Sequence, residues 1–264
     1  MNNTEKQMLE ILRYLKNEHN VIAIKAEFEA EGSRTDELVM LNEIIFRADM
    51  KLYVKIGGCE AVRDIDQCRL LGASGIMAPM IESPFAMKKF VNAAQKVYGE
   101  NWNDIEWIIN AETKTCHSNL DDILSAGKGF LSTVSIGRVD LSASIGLTRD
   151  EINGEKVYEV TRDIAERAKK AGYTVNFGGG ISFNAIPFIQ KMYPANDRFE
   201  TRKVVFHGTD DENRLKDGIL KAMEFETLYL KNKCEYYDRM AKEDQARLKM
   251  MAERLEIAGS TLSL

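Results

Sequence analysis

The sequence predicts a TIM-type (β/α)8 barrel carrying a long C-terminal helical extension. Three observations lead there. Strand-length apolar bursts alternate with helical patterns up to about residue 210. Regular β-then-α order implies parallel strands joined by right-handed crossovers. The length of 264 residues suits one barrel without calling for a second domain, so residues 1–264 read as a single unit. A doubly wound open sheet is the alternative that the same alternation allows.

The strands fall at residues 21–29, 52–58, 75–83, 106–113, 130–137, 174–180 and 203–208. That is one fewer than a closed eight-stranded barrel needs. Either a first strand is disguised near the N-terminus or the barrel is imperfect. Helical stretches lie between the strands, several closed by glycine and one opened by Pro84. Residues 1–20 read as an amphipathic, charged helix and not as a secretory leader. From about residue 211 to 257 the chain has no proline, and no glycine lies between Gly218 and Gly259. Apolar residues such as Leu220, Met223, Leu228 and Leu230 recur there at close to helical steps. One long helix or two in tandem is expected, longer than a barrel requires and suited to a subunit interface.

Bulk chemistry narrows the partners. A formal net charge of −5 argues against nucleic acid and anionic membranes as targets. No apolar run approaches the ~20 residues of a membrane span. Cys59, Cys68, Cys116 and Cys234 form no CxxC pair, which fits reduced thiols in a cytoplasmic protein.

Strand faces carry the chemistry. Side chains alternate along a strand, so Ile22, Ile24, Ala26 and Phe28 share one face, and Ala23, Lys25, Glu27 and Glu29 the other. In a barrel the apolar face meets the helices, which turns Lys25, Glu27 and Glu29 inward or to the rim. Charges there are costly unless paired or bound to a ligand. On 106–113, Ile108, Asn110 and Glu112 share a face, and Glu112 arrives at the strand's C-terminal end, where barrel enzymes place their chemistry. Strand 130–137 runs into GRVDLSASIG, which sets Asp140 just past its end. Two carboxylates on adjacent strand ends suit a hard cation such as Mg²⁺ or Mn²⁺. Helix capping or pairing with arginine is the plain structural reading of each. Residues 178–180, GGG, suggest close backbone approach, as to a phosphate, or simply a tight turn.

The segments INAETKTCHSNLDDIL and FLSTVSIGRVDLSASIG resemble the metal-binding core of the HpcH/HpaI aldolase and citrate lyase β family, in the pyruvate/phosphoenolpyruvate-binding barrel superfamily. The preceding VKIGGCEAVRDIDQCRLLGASGIMAPMIESPFAMKKFV and the acidic AEFEAEG are similar to its other strands. The resemblance implies a divalent metal on Glu112 and Asp140, chelated by a 2-oxo acid such as pyruvate. It also implies substrate contacts from Asn110, Arg138, Val139 and Asp140, with amides of the GRVD turn near the substrate carboxylate. The activity implied is that of a metal-dependent carbon–carbon lyase forming or using a pyruvate enolate, in a homo-oligomer such as a hexamer. A malyl- or citramalyl-CoA type lyase, or a non-catalytic 2-oxo-acid binder, are the alternatives.

Two departures mark the chain. Lys55 stands where the family carries arginine, keeping the charge without the bidentate fork. Ala30 stands where a histidine serves in proton transfer. Candidates to replace that histidine are Glu29, Glu27, His117 and His207, in that order.

Overall fold

The computed structural model describes residues 1–262, with side chains through residue 258. Eight strands close into one barrel in sequential order: β1 (Val21–Glu27), β2 (Lys51–Lys55), β3 (Gly75–Ala78), β4 (Glu106–Ala111), β5 (Thr133–Gly137), β6 (Thr174–Gly178), β7 (Arg198–Glu200) and β8 (Val204–His207). The strand that sequence patterning passes over is β7, only three residues long and too short to show an alternation. It forms a hairpin with β8, so β8 runs antiparallel to both its neighbours, β7 and β1. The imperfection is therefore in the direction of the last strand, and the barrel still closes.

The helices are α1 (Asn3–His19), α2 (Thr35–Arg47), α3 (Val62–Leu70), α4 (Pro84–Tyr98), α5 (Lys114–Ser118), α6 (Leu120–Ala126), α7 (Arg138–Ser144), α8 (Glu155–Lys170), α9 (Ile186–Met192) and α10 (Glu212–Leu262). Start signals match local chemistry. Asn2 caps α1 through a capping box, and Ser83 accepts the Ala86 N–H at 3.1 Å ahead of Pro84. The outward strand face and the helices share one apolar core, in which Trp107 stacks on Phe130 and meets Phe90 and Tyr98 edge-on.

Inside the barrel the N-terminal half is plugged by Ala23, Tyr53, Met77, Ile108 and Val205. A Cβ at Gly75 would come within 2.6 Å of the Tyr53 ring. Ile22, expected on the outward face, packs on this inner plug instead, because the β1–β8 register shifts between Val21 and Ala23.

Glu106 closes the plug. It accepts from Thr133 Oγ1 at 2.6 Å, from Arg198 at 2.5 Å and from the Tyr53 hydroxyl. Burial alone would raise its pKa, but Arg198 and the two hydroxyls outweigh burial and hold it below the usual carboxylate range. A carboxylate whose pKa is lower in the folded state than in the unfolded chain (about 4.3) stabilises above that value. The stabilisation is lost as pH falls through the folded value. Thermal stability should thus hold from pH 7 to 5 and fall below about pH 4. Calorimetry of Glu106→Gln should show a shallower acid limb; an acid limb identical to the parent's would show that the network contributes nothing.

α10 is one helix, not two. Its first part packs along α1 and rises from the barrel's lower end to its upper end. At the lower end Asp217 pairs with His19 at 2.7 Å, and the His19 side chain is only 7% exposed. At the upper end Asn2 meets Asn232 at 2.7 Å, and Glu37 at the start of α2 takes Lys233 at 2.9 Å and the Tyr237 hydroxyl. Residues 238–258 continue past the barrel and are exposed throughout.

Candidate active site at the barrel mouth

The C-terminal ends of β1, β2 and β4–β7 enclose a cavity of about 320 Å³ at the upper end of the barrel. The alternation of β1 delivers Lys25 and Glu27 into the barrel, with Glu29 following in the loop. Ile24 and Ala26 turn to the helices as the sequence requires. β4 delivers Asn110 and Glu112 to the same space.

Glu112 is 1% exposed. Its Oε1 accepts the Met80 N–H at 3.1 Å and its Oε2 the Asn110 amide at 2.9 Å. Met80 donates from a left-handed backbone, φ 53°, which a non-glycine residue seldom adopts. Lys55 Nζ stands 3.7 Å from Glu112 Oε2 and 3.0 Å from Glu29 Oε2. Burial raises the Glu112 pKa, Lys55 and the two N–H donors oppose the rise, and the Asp140 charge adds to it; the net direction is upward. For Lys55, burial pulls the ammonium down, but Glu112, Glu29 and Glu27 outweigh it and keep it protonated.

Asp140 sits in the first turn of α7, exposed to the cavity. It is near enough for its charge to disfavour ionisation of Glu112. The pair fits a divalent cation. Both are hard oxygen donors, and a cation would relieve their mutual repulsion. No third His, Cys, Asp or Glu completes a cluster among the described residues, so other positions would fall to substrate and water oxygens. Close packing enforces the placement: a Cβ at Gly137 would lie 2.5 Å from Glu112 Oε2 and 2.9 Å from its Cβ. Gly137→Ala should therefore push Glu112 aside and weaken Mn²⁺ binding by about tenfold or more. Calorimetric titration of Mn²⁺ checks this, and an unchanged affinity would show that the carboxylate tolerates displacement.

Three expected site residues are placed elsewhere. His207 ends β8, and because β8 runs downward, its C-terminal end lies at the opposite end of the barrel from Glu112. It pairs in register with Arg198 at the start of β7 and is excluded from proton transfer at the mouth. Arg138 is fully buried behind the barrel wall, between Phe177 and Phe188. Its guanidinium donates to Gly178 O, Gly179 O and Asn153 Oδ1 at 3.2, 2.6 and 2.9 Å. Burial without a carboxylate lowers its pKa to about 9. It anchors the loop after β6 and does not line the mouth cavity. His117 binds Asp163 at 2.7 Å on the outer helical layer, also away from the mouth.

Sequence reasoning missed a polar belt under the site. Lys25 Nζ lies 2.5 Å from Glu200 and 3.3 Å from Glu27, and Asn176 donates to Glu200 at 2.6 Å and to Ser135 at 2.9 Å. Lys25 was visible as an inward charge. Its partner Glu200 was hidden, because it lies on the three-residue β7. Arg149 and Arg202, on the rim, carried no signal at all.

The model of the family "HpcH/HpaI aldolase/citrate lyase" matches residues 17–178. Among solved structures, an HpcH/HpaI aldolase from Desulfitobacterium hafniense DCB-2 is similar at 17% identity. It covers 73% of this chain and 81% of that one, with a TM-score of 0.61. A family protein from Burkholderia cenocepacia J2315 gives 15% identity over 75% and 83%, with a TM-score of 0.60. The citrate synthase SbnG gives 18% identity over 86% and 90%, with a TM-score of 0.57. No curated protein matches the sequence. These likenesses bear on fold; the family match spans more than half of the chain and both mouth carboxylates, and the chain belongs to the HpcH/HpaI aldolase/citrate lyase family.

Proposed function

We propose that the mouth cavity makes or breaks a carbon–carbon bond adjacent to a 2-oxo acid such as pyruvate, with Mg²⁺ or Mn²⁺ held by Glu112 and Asp140. The observation that carries this reading is the buried Glu112 beside Asp140 and protonated Lys55 at the strand ends of a family barrel. When bound, the cation supplies Lewis-acid polarisation of the keto and carboxylate oxygens. Lys55 holds a fixed positive charge beside the oxygen that becomes negative in the transition state. The backbone N–H groups of Val139 and Asp140 receive the substrate carboxylate, and Asn110 orients Glu112. Glu29, half-buried at the rim and paired with Lys55 at 3.0 Å, exchanges the proton; Glu27, buried against Lys25 at 3.3 Å, ranks second. In the cleavage direction the 4-hydroxyl proton of a 2-oxo-4-hydroxy acid passes to Glu29. The C3–C4 bond breaks with its electrons entering the enolate, and C3 is then reprotonated. The exposed outer half of α10, with Leu248, Met251 and Leu255, is assigned to contact with a second copy of the chain.

The direct test measures pyruvate release from 2-oxo-4-hydroxy acids by the folded protein loaded with Mg²⁺ or Mn²⁺. Metal-dependent release is expected, and its absence across a panel of such acids would overturn the lyase reading. One observation favours a second reading, binding without turnover: Lys55 is already engaged by Glu29 and Glu112. Oxalate binding by a protein inactive on the whole panel would select it.

A further inference from the structure

The loop that carries Glu29 is fixed by side chains more than by its own backbone. On one flank Phe28 donates its N–H to Lys55 O at 2.8 Å and packs on the core. On the other, Ser33 donates its N–H to Glu27 O at 3.2 Å. Between them the N–H groups of Glu29, Ala30 and Glu31 find no acceptor among the described residues. The anchor in this stretch is the Glu31 side chain, only 11% exposed. Its Oε1 accepts from Arg202 Nε at 3.0 Å, and its Oε2 accepts from Lys203 Nζ. Both cations belong to the turn that joins β7 to β8, and Thr201 and Arg202 of that turn line the mouth cavity.

The turn is itself held in place. Lys203 O accepts the Lys25 N–H of β1 at 2.7 Å. The Lys203 side chain is 1% exposed, and its ammonium stands 4.5 Å from the centre of the Tyr229 ring on α10. Burial lowers the Lys203 pKa, and the Glu31 charge is the largest effect opposing it. Glu226 of α10 lies close enough for its charge to act on Lys203 and Arg202, and it would draw both away if Glu31 lost its own charge. We propose that Glu31 is a positioning residue: clasped by Arg202 and Lys203, it holds the loop so that Glu29 meets Lys55 and the reacting bond. The clasp stands on these contacts alone; its effect on turnover rests on the lyase reading and on proton exchange by Glu29. A proton acceptor has to lie within hydrogen-bond reach of the proton it takes. Displacing such a group by about 1 Å costs on the order of a hundredfold in rate.

The test compares full-length parent, Glu31→Gln, and the double variant Glu31→Gln with Lys203→Met. The single change strands a buried ammonium and should lower the melting temperature; the double change removes that ammonium as well and should restore most of the loss. Turnover should part company with stability. With Mg²⁺ and a 2-oxo-4-hydroxy acid that the parent cleaves, kcat should fall by about tenfold to a hundredfold in both variants. KM should stay within about twofold, because Glu31 touches neither the metal ligands nor Lys55. Hydrogen exchange reads the clasp without any turnover: the Ser33 amide should exchange about tenfold faster in both variants, while the amides of β4 keep the parent's protection. The proposal is overturned if Ser33 exchange is unchanged, or if kcat recovers together with the melting temperature in the double variant, as a purely structural ion pair would require. A parent that cleaves none of these acids sinks the lyase reading, and Ser33 exchange then decides the clasp by itself.

Discussion

Glu112→Gln is expected to lower metal-dependent turnover by about a thousandfold or more and to leave the barrel folded. The loss follows from charge. A neutral amide is a poor ligand for a hard divalent cation, and Asp140 alone is exposed and single. The fold survives for reasons visible around the side chain. Oxygen at the Oε1 position still accepts the Met80 N–H. The new amide would oppose the Asn110 amide donor at Oε2, but Asn110 Oδ1 is buried without a partner in the parent. Rotating Asn110 turns that free acceptor toward the new donor, so the exchange leaves no extra orphan. Lys55 loses its partner at 3.7 Å and keeps Glu29 at 3.0 Å. Calorimetric Mn²⁺ titration, thermal melts and turnover on the same preparation check all three points. Tight Mn²⁺ binding by the Gln variant would remove Glu112 from the metal site.

Lys25→Met should be the most damaging single change to stability, costing about 3–5 kcal/mol. It strips the cation from Glu200 and Glu27, both buried in the barrel interior. Asn176 offers Glu200 one hydrogen bond and no charge. Urea unfolding gives the number, and a loss under 1 kcal/mol would show that water reaches the belt. Lys25→Met combined with Glu200→Leu should recover part of the loss, because an apolar pair replaces an ion pair at low cost, although Glu27 stays without its partner. Burial would lower the Lys25 pKa, but Glu200 and Glu27 outweigh it and move it upward. A lysine whose folded pKa is raised stabilises fully below its unfolded value, about 10.4, and loses that contribution only as pH rises through the folded value. The gap between parent and variant should thus stay constant from pH 6 to 9, and a gap closing within that range would contradict the pairing.

Much of this was legible in the chain. The alternation in VIAIKAEFE placed Lys25 and Glu27 inward, and the ends of 106–113 and 130–137 placed Glu112 and Asp140 at one rim. Such readings depend only on a two-residue period and on where a strand stops. Strand direction is another matter. A run such as KVVFHG has the same composition going up or down, and only its pairing with β7 and β1 revealed that His207 points to the far end. Arg138 failed differently. A charged residue two positions from a proposed metal ligand suggests contact with substrate, yet its side chain lies behind the wall, against carbonyls that no sequence pattern announces. Glu200 was lost because three residues hold no period to read.

The downward course of β8 has a practical consequence for anyone handling the molecule. It returns the chain to the floor of the barrel, so α10 must climb the whole wall and leave at the roof, while Asn2 is tied to Asn232 at the same level. Asn2 and the outward run of α10 therefore lie at the end of the barrel that carries the mouth cavity. From Tyr237 onward the helix reaches roughly 37 Å beyond that side, at 1.5 Å per residue. Immobilising the protein on a sensor chip through either terminus would turn the entrance toward the surface, whereas attachment through an introduced cysteine near Gly208 or Thr209 would leave the entrance facing the flow.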